Sequence, residues 1–247
     1  MQNIIMGRKP VRELVDTSPE TIEQVVIRQG VKGQDIKELL EACQSSGVRC
    51  RFLPGEALER QVPGCRQGVA AFVFGSGFVE LDTLLDVARQ APLPVVLALD
   101  QVQDPGNLGA LARTLLALGG GGLLVPRHQG ARLGGGASRA SAGALERLPI
   151  HQGVNLSRDL EACAEAGFTV VKAEAGPQGV NLFQATFPFP LVLVLGGEEK
   201  GVRPGVAKRC EMSLYIPMPG EFDSLNVAQA GAVILGQMSR QAFLGKK

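Results

Sequence analysis

The sequence lacks a large charge imbalance and any long apolar run. Its 25 Lys and Arg residues nearly balance its 24 Asp and Glu residues, which leaves a net charge of +1. No overall field therefore draws the chain toward nucleic acid or a membrane, although a local basic patch is compatible with this balance. The N-terminus has no long apolar segment of the kind found in a secretory leader, and no apolar run reaches the roughly 18 residues of a membrane span. These absences predict a cytoplasmic protein.

Paired cysteines and metal-ligand spacings are also missing. The five cysteines are odd in number and form no Cys-x-x-Cys pair, which argues against both a disulfide framework and a zinc site. The two histidines, His128 and His151, lie in loop-like sequence with no Cys or Asp at ligand spacing. We therefore expect reduced thiols and no bound metal.

Three common site motifs are absent as well. No Gly-x-Gly-x-x-Gly sequence follows a strand and opens a helix, because the glycines at 119–122 follow a predicted helix and precede a predicted strand. This argues against a Rossmann nucleotide site. The sequence also has no P-loop motif and no Gly-x-Ser-x-Gly motif of a hydrolase nucleophile. What remains is a set of Gly- and Pro-rich loops with few side chains suited to acid–base chemistry.

The composition is that of a globular protein, and the sequence divides near residue 75. Hydrophobic residues make up 45% and charged residues 20% of the 247 positions, which suits a buried core in one large or two modest domains. The Gly-Ser-Gly sequence at 75–77 predicts a hinge between domains at 1–75 and 76–247. In the first domain we expect a small α/β unit, with strands at 21–27, 48–53 and 68–74 and a helix at 34–45.

That first unit is rich in basic side chains. They are Arg8, Lys9, Arg12, Arg28, Lys32, Arg49, Arg51, Arg60 and Arg66. Side chains of this kind neutralise phosphates in complexes with nucleic acids. From charge alone, an RNA-binding face and an ordinary solvated surface explain them equally well, and the sequence leaves both open.

Beyond residue 77, helix and strand patterns alternate. The apolar run 93–100 (LPVVLALD) is typical of a strand buried on both faces. We expect helices at 81–90, 107–118 and 156–166, strands at 93–100, 122–125, 168–173, 191–195 and 211–216, and a closing helix. The alternation predicts an α/β fold with a mostly parallel sheet. Ligands bind beyond the C-terminal ends of such strands, so loops at 100–107, 196–201 and 217–226 form the site if they converge.

These loops are suited to binding a nucleoside-containing cofactor. Gly196, Gly197 and Gly201 free backbone N–H and C=O groups for the close approach of a ligand. The helix starts predicted at Asn107 and Ser224 offer further amides. A cofactor of this kind carries its own chemistry, and the protein mainly orients it. Gly and Pro are also common in loops that have no binding role, and this explains the same residues equally well.

The closing helix begins with more polar groups than capping requires. In the stretch 219–241 (PGEFDSLNVAQAGAVILGQMSRQ), Asp223, Ser224 and Asn226 crowd the predicted helix start. Capping explains only part of this set. The helix itself is rich in small residues that favour close packing, despite the roughly 1 kcal/mol helix cost of a glycine. They are Ala228, Ala230, Gly231 and Ala232.

Three segments together resemble the motifs of the SpoU family of RNA ribose 2′-O-methyltransferases. They are DPGNLG at 104–109 with Arg113 and Thr114, LGGEEKG at 195–201, and IPM at 216–218 with SLNV at 224–227. The segment 141–144 with Glu146 also fits the family. Residues 6–15 and 67–69 more weakly resemble the small RNA-binding domain of the RlmB-like ribosomal RNA branch. Arg66 and Ala228 depart from the family, where His and Ser are common, so the RNA substrate is less firmly indicated than the activity.

The resemblance implies a fold, a cofactor and partners. Residues 76–247 are expected to form a SPOUT methyltransferase domain with a deep trefoil knot, and residues 1–75 a substrate-binding domain. S-adenosylmethionine is the implied cofactor, RNA the implied substrate, and a homodimer with shared sites the implied assembly. A guanosine of large-subunit ribosomal RNA is the leading target. The alternatives are a transfer-RNA 2′-O-methyltransferase of the same family and a non-catalytic knotted RNA-binding dimer.

The resemblance also assigns roles to individual residues. Arg113 is the family's candidate for activating the ribose hydroxyl, but a guanidinium stays protonated, so we interpret it as a clamp on phosphate and the developing alkoxide, with a plain surface arginine as the alternative. Asn107 is expected to orient Arg113 or the ribose, Glu198 to fix the second loop or Arg113, and Asn226, with Ser224, to line the hydroxyl region. The cofactor-binding candidates are Gly196, Gly197, Gly201, Ile216, Pro217, Met218, Leu225 and Asn226.

Overall fold

The computed structural model describes residues 3–73, 78–128, 130–131, 133, 135–198, 200–220 and 224–244. The chain folds into two compact units, the first comprising Met1–Ser76 with Arg132–Gly135 and the second Gly77–Ala131 with Gly136–Lys247. The predicted hinge at 75–77 lies outside the described residues. Within the described ranges, no helix has the length and apolar character needed to cross a membrane. Nor do these ranges contain a group of three or more His, Cys, Asp or Glu residues that could hold a metal ion.

The first unit contains a four-stranded sheet with helices on both faces. Its strand order is β1-β4-β2-β3, in which β4 is antiparallel to β1 and β2, while β2 and β3 are parallel. A short 3-10 turn precedes β2. In chain order the elements are β1 (Asn3–Met6), α1 (Arg8–Thr17), β2 (Ile22–Arg28), α2 (Gln34–Ser45), β3 (Cys50–Leu53), α3 (Gly55–Gln61) and β4 (Val69–Val73).

Alternation along β2 builds two apolar layers in this unit. Val25 and Ile27 pack with α1 and α2 on one face, including Leu39. Val26, which lies between them, packs with Leu58 of α3 on the other face. Successive side chains of a strand point to opposite faces, so a single strand supplies both layers.

The prediction for this unit holds for its central elements. The helix at 34–45 is α2, and the three expected strands are β2, β3 and β4 with small shifts at their ends. Three elements, β1, α1 and α3, were not predicted. In α1 the buried Val11 and Val15 share one helix face with the partly buried Leu14, so this short helix has an amphipathic pattern that the prediction missed.

The second unit is built on a seven-stranded sheet in which every pairing is parallel. Its strand order is β7-β6-β5-β10-β8-β11-β9, which confirms the expected parallel α/β fold. In chain order the elements are α4 (Leu81–Gln90), β5 (Leu93–Asp100), α5 (Pro105–Ala117), β6 (Gly120–Pro126), α6 (Gly135–Ser141), β7 (Ile150–Gly153), α7 (Leu156–Glu165), β8 (Thr169–Ala173), β9 (Val180–Asn181), β10 (Leu191–Gly196), α8 (Pro204–Ala207), β11 (Met212–Tyr215) and α9 (Val227–Leu244).

Both faces of this sheet are covered by helices. Helices α4 and α7 pack on one face, where Val96 and Val194 lie in the core. Helix α9 packs on the other face, against α5, β5 and β10. There a Cβ added at Gly231 would collide with Leu111 and come within 2.9 Å of Leu195. The small residues expected in α9 therefore serve close packing at Gly231.

Several predicted boundaries are wrong in ways that bear on the site. Helix α5 begins at Pro105 rather than at 107, and α9 begins at Val227, after Ser224. His151 lies in β7 rather than in a loop, and its Nδ1 is 2.9 Å from the carbonyl oxygen of Val79. The glycines at 119–122 lead into β6, where α4 approaches so closely that a Cβ at Gly121 would collide with Ala88.

Candidate active site

The three loops expected to form the site meet at one edge of the second sheet. Strands β5, β10 and β11 end at Asp100, Gly196 and Tyr215. These strands belong to the same parallel sheet, so the loops that follow them leave from the same edge. Side chains from all three loops are in contact there.

The contact is a hydrogen-bonded cluster of three side chains. Asn107 Nδ2 donates to Glu198 Oε1 at 2.9 Å. Asn226 Nδ2 donates to the same oxygen at 2.6 Å and to Asn107 Oδ1 at 3.0 Å. The first and last of these partners are 119 residues apart in the chain, so folding alone brings them together. The cluster joins one candidate residue from each loop.

Both asparagines are held at helix starts. The Asn107 N–H donates to Asp104 Oδ1 at 2.7 Å, which makes Asp104 the N-cap of α5. Asn226 Oδ1 accepts the N–H two residues further on at 2.9 Å, while its Nδ2 serves the cluster. Asn226 therefore both caps α9 and builds the site. The expectation that Ser224 shares the capping is wrong, because α9 begins at Val227, and Asp223 lies outside the described residues.

The second loop is a tight turn in which glycine backbones touch. The Gly201 N–H donates to the Gly197 carbonyl at 2.9 Å. A Cβ at Gly196 would collide with the Gly201 backbone, and one at Gly197 would lie 2.6 Å from the Gln101 carbonyl oxygen. The loop's own packing thus requires glycine at 196. A side chain at 196 would therefore distort the loop itself, whether or not a ligand is bound. The sequence alone did not reveal this reason for the glycine.

An ion pair between a buried carboxylate and a partly exposed arginine holds the base of the same loop. Asp100 is fully buried at the end of β5 and accepts from the Arg203 N–H at 2.7 Å and from Arg203 Nε at 2.8 Å. Arg203 Nη2 lies 2.7 Å from the same carboxylate. Buried carboxylates require charge-assisted donors of this kind. The pair joins the end of the loop that carries Glu198 to the start of the loop that carries Asn107.

A cavity of about 400 Å³ opens beside the cluster. Its volume lies within the range of about 300–1,000 Å³ that is usual for small-molecule sites. Glu198 forms part of its wall. Pro217 and Asn226 are not among its lining residues, although Leu225 and Val227 on either side of Asn226 are. The cofactor-binding candidates that line it are Gly196, Gly197, Gly201, Ile216, Met218 and Leu225, together with Ser224.

Two charged residues in this wall come from outside the three loops expected to form the site. Lys172 and Glu174 come from the end of β8 and the position after it. Strand β8 lies between β10 and β11 in the sheet, so its C-terminal end faces the cavity. The signal in the sequence was a pair of charged residues at the end of the strand predicted at 168–173, but no motif included them.

A second, smaller cavity of about 290 Å³ adjoins the first. Its wall is made by the loop after β5, including Gln101, Asp104 and Asn107. Both cavities are lined by Gly197, Glu198, Lys200 and Val227. The hydrogen-bonded cluster therefore stands at the boundary between two spaces that could each hold a molecule.

Arg113 is the candidate catalytic residue that the structure does not bring to the cluster. It lies on α5 with an exposed side chain. It lines neither cavity. Within the described ranges no hydrogen bond or ion pair connects it to another residue of this chain.

Comparison with known proteins agrees with this geometry. The family described as "SpoU rRNA Methylase family" matches residues 94–236, which is more than half of the chain. The chain belongs to the SpoU family. A second family, described as "RNA 2'-O ribose methyltransferase substrate binding", matches residues 4–78. The resemblance found in the three motifs is thereby confirmed, and the protein is an RNA methyltransferase.

Related proteins match over nearly the whole chain. A tRNA/rRNA methyltransferase of Mycobacterium avium is 33% identical over 238 residues, covering 96% of this chain and 77% of the relative. A Bacillus subtilis protein assigned to the TrmH family of tRNA/rRNA methyltransferases is 31% identical, covering 96% and 95%. The SpoU methyltransferase AviRb from Streptomyces viridochromogenes, solved in complex with AdoMet, has a TM-score of 0.60 and 25% identity and covers 99% of this chain and 92% of its own.

The cofactor of this SpoU enzyme is S-adenosylmethionine, and the first cavity fits it. Apolar side chains such as Leu195, Ile216 and Ile234 offer a surface for the adenine ring, and the glycine loop offers backbone groups beside it. Polar groups of Lys172 and Glu174 face the same space. A mostly apolar cavity with a few fixed polar groups is the usual form of a cofactor site.

Proposed function

We propose that this SpoU enzyme methylates the 2′-hydroxyl of a ribose in RNA. The observation that carries the proposal is Glu198, which lies on the wall shared by two cavities and is held there by hydrogen bonds from Asn107 and Asn226. A group transfer needs two molecules held in contact, with polar groups at the point of transfer. We assign the larger cavity to the cofactor and the smaller one to the target nucleotide.

The reaction requires little of the protein beyond the alignment of the methyl donor with the ribose hydroxyl. Bound S-adenosylmethionine supplies a methyl group on a sulfonium, which is a good leaving group. The chain's own residues must hold the hydroxyl in line and receive or pass on one proton. Asn107 and Asn226 fix the Glu198 carboxylate through its Oε1, so that the cluster can orient the ribose hydroxyl region from one side.

We further propose that the active form is a homodimer in which Arg113 of a second copy completes each site. Within one chain Arg113 is exposed and lies outside both cavities, so a single subunit does not supply the clamp on phosphate and alkoxide. The family resemblance also implies a trefoil knot formed by the C-terminal segment, and we include it in the proposal. Such an enzyme would act on RNA in the cytoplasm.

The first unit is proposed to bind the RNA. At one end of its sheet β1, β2 and β3 end and β4 begins, as their pairing directions require. Glycines with positive φ lie in the connections there, at Gly7, Gly30, Gly33, Gly64 and Gly68. The exposed basic residues at this end are Arg28, which ends β2, and Lys32 and Arg66 in the connections. Exposed backbone and cationic side chains suit an RNA backbone.

Ribosomal RNA, with a large-subunit guanosine as the leading target, is preferred over transfer RNA. A solved structure described as "Structural insights into the 2-OH methylation of C/U34 on tRNA" is similar to this chain, with 32% identity and a TM-score of 0.54. The match includes 97% of that structure's chain but only 62% of the present chain. The present chain thus carries an additional unit, and an additional RNA-binding unit favours a different RNA. A non-catalytic dimer is disfavoured by the intact Asn107, Glu198 and Asn226 cluster.

The test is transfer of a labelled methyl group from S-adenosylmethionine to total RNA, followed by mapping of 2′-O-methyl positions. We expect label in one ribosomal RNA position and its loss in Glu198→Gln. The matched control is Glu165→Gln, which changes an exposed carboxylate in the same unit. Label on a base, or in transfer RNA alone, would contradict the corresponding part of the proposal.

A further inference from the structure

The wall of the cofactor cavity contains a carboxylate in which one oxygen accepts two hydrogen bonds and the other accepts none from the described residues. Glu174 directly follows β8, and its N–H donates to the Leu214 carbonyl of β11 at 2.8 Å. Lys172 Nζ donates to Glu174 Oε2 at 2.7 Å, and Ser213 Oγ donates to the same oxygen at 2.6 Å. Within the described part of the chain Oε1 has no hydrogen-bond donor. The side chain is thus oriented from one side only.

The two donors also set the charge of this group. The hydrogen bond from Lys172, followed by that from Ser213, holds the pKa of Glu174 below its ordinary value. The side chain is therefore an anion at neutral pH, and an ionised carboxylate accepts hydrogen bonds without donating them. Whatever binds Oε1 must bring its own N–H or O–H groups.

Three parts of S-adenosylmethionine carry such donors: the ribose hydroxyls, the adenine 6-amino group and the ammonium of the amino-acid moiety. The adenine ring is assigned to the apolar side chains and the glycine loop, which leaves the ribose hydroxyls and the ammonium. The ammonium is disfavoured because the Lys172 ammonium already lies 2.7 Å from the carboxylate, and a second cation there would meet like-charge repulsion. A neutral diol meets no such repulsion. In dinucleotide-binding folds an acidic residue in the crevice at the carboxyl ends of the strands accepts from a ribose hydroxyl in the same way.

We propose that Glu174 binds the ribose hydroxyls of the cofactor through Oε1, with Lys172 and Ser213 as positioning residues. This inference rests on the cofactor assigned to the cavity and is independent of which RNA is methylated. It adds a side-chain contact to a site in which the sequence motifs indicated mainly backbone groups.

The experiment measures binding by calorimetry, with S-adenosylhomocysteine as the probe. We expect Glu174→Gln and Glu174→Ala to bind it at least ten-fold more weakly than the unmodified protein, which corresponds to about 1.4 kcal/mol. Glu165→Gln is the matched control and should bind normally. Thermal melts of all variants show whether each is folded. Unchanged affinity in a folded Glu174→Ala variant would overturn the proposal.

Two further ligands identify the group that Glu174 contacts. The 2′,3′-dideoxy analogue should bind the unmodified protein about as weakly as Glu174→Ala binds the intact ligand, and the two losses should not add, because both remove the same interaction. Methylthioadenosine has no ammonium, so its affinity should still fall in Glu174→Ala. Additive losses, or a methylthioadenosine affinity insensitive to residue 174, would overturn the ribose assignment. If the unmodified protein bound none of these ligands, the cofactor cavity itself would be misassigned.

Discussion

At the scale of single residues, Asn226 shows how one side chain serves stability and function together. Its Oδ1 accepts the N–H of Ala228 at 2.9 Å, and its Nδ2 donates to Glu198 and Asn107. An amide has both an acceptor and donors, so it can do both tasks at once, whereas serine or aspartate would satisfy the cap alone. This accounts for asparagine at a position where other capping residues are equally common.

We expect Asn226→Ala to lose both functions. Loss of the cap should lower the free energy of unfolding by about 1 kcal/mol, and loss of the cluster should reduce methyl transfer at least ten-fold. Asn155 offers a matched control, because its Oδ1 caps α7 through the Arg158 N–H at 3.3 Å, away from the cluster. Asn155→Ala should therefore lose stability and keep activity. Chemical denaturation and labelled transfer measure the two effects, and equal activity in both variants would contradict the role of the cluster.

Arg113 is a second residue whose substitution should distinguish an effect on turnover from an effect on cofactor affinity. If it clamps phosphate and alkoxide, Arg113→Ala and Arg113→Lys should both reduce turnover on the order of a hundred-fold, comparable to the loss of one transition-state donor. Lysine keeps the charge but lacks the planar fork. Calorimetry should show unchanged cofactor affinity, because Arg113 lines neither cavity. A weakened affinity would mean that Arg113 belongs to the cofactor site instead.

At the scale of secondary-structure elements, the first turn of α7, which follows β7, contains a carboxylate with an unsatisfied buried oxygen. Asp159 Oδ2 is buried without a hydrogen-bond partner among the described residues. Burial raises the pKa of Asp159 above the ordinary 3.8, although the nearby His151 acts in the opposite direction. The folded state therefore holds this proton more tightly than the unfolded state does. Stability is lost as the pH rises from about 3.8 through the raised value.

Asp159→Asn should thus stabilise the protein at neutral pH. An amide carries no charge to desolvate, so we expect a gain of about 1 kcal/mol that shrinks as the pH falls through the raised pKa of Asp159 toward 3.8, because the folded Asp159 is then itself protonated. Asp82→Asn is the control, since Asp82 lies exposed in the first turn of α4. Thermal melts from pH 3.5 to 7.5 give the comparison. A gain that is equal at all pH values would contradict the desolvation argument.

Some secondary-structure elements could be predicted from the sequence, and others could not. The helices at 34–45 and 81–90 and the strand at 93–100 were placed to the residue, because amphipathic or continuous apolar patterns mark such elements. The two-residue β9 carries no such pattern, whereas α1 carries an amphipathic one on Val11, Leu14 and Val15 and was missed. The cluster could be predicted only as three motif residues, since its hydrogen bonds join positions up to 119 apart. Glu174 was missed because its role depends on which strands are neighbours in the sheet.

At the scale of the whole molecule, the first unit should contribute most of the RNA affinity that depends on salt. Each phosphate contact contributes about −0.7 to the slope of log affinity against log salt for a single strand. We expect replacement of Arg28, Lys32 and Arg66 by alanine to reduce this slope by about 2 in total. The control replaces Arg49, which is exposed and precedes the start of β3, at the opposite end of that strand. An unchanged slope would mean that the RNA binds elsewhere.

The assembly of the active site can be tested by mixing two inactive variants. If each site takes Asn226 from one copy and Arg113 from the other, a heterodimer of Arg113→Ala and Asn226→Ala subunits contains one fully intact site and one doubly defective site. Random mixing makes half of the dimers heterodimeric, so about a quarter of the unmodified activity should return. Native mass spectrometry verifies that subunits have exchanged. Absence of activity in a verified heterodimer would mean that each site is built within one chain, and Arg113 would then have to reach the cluster by a rearrangement of α5.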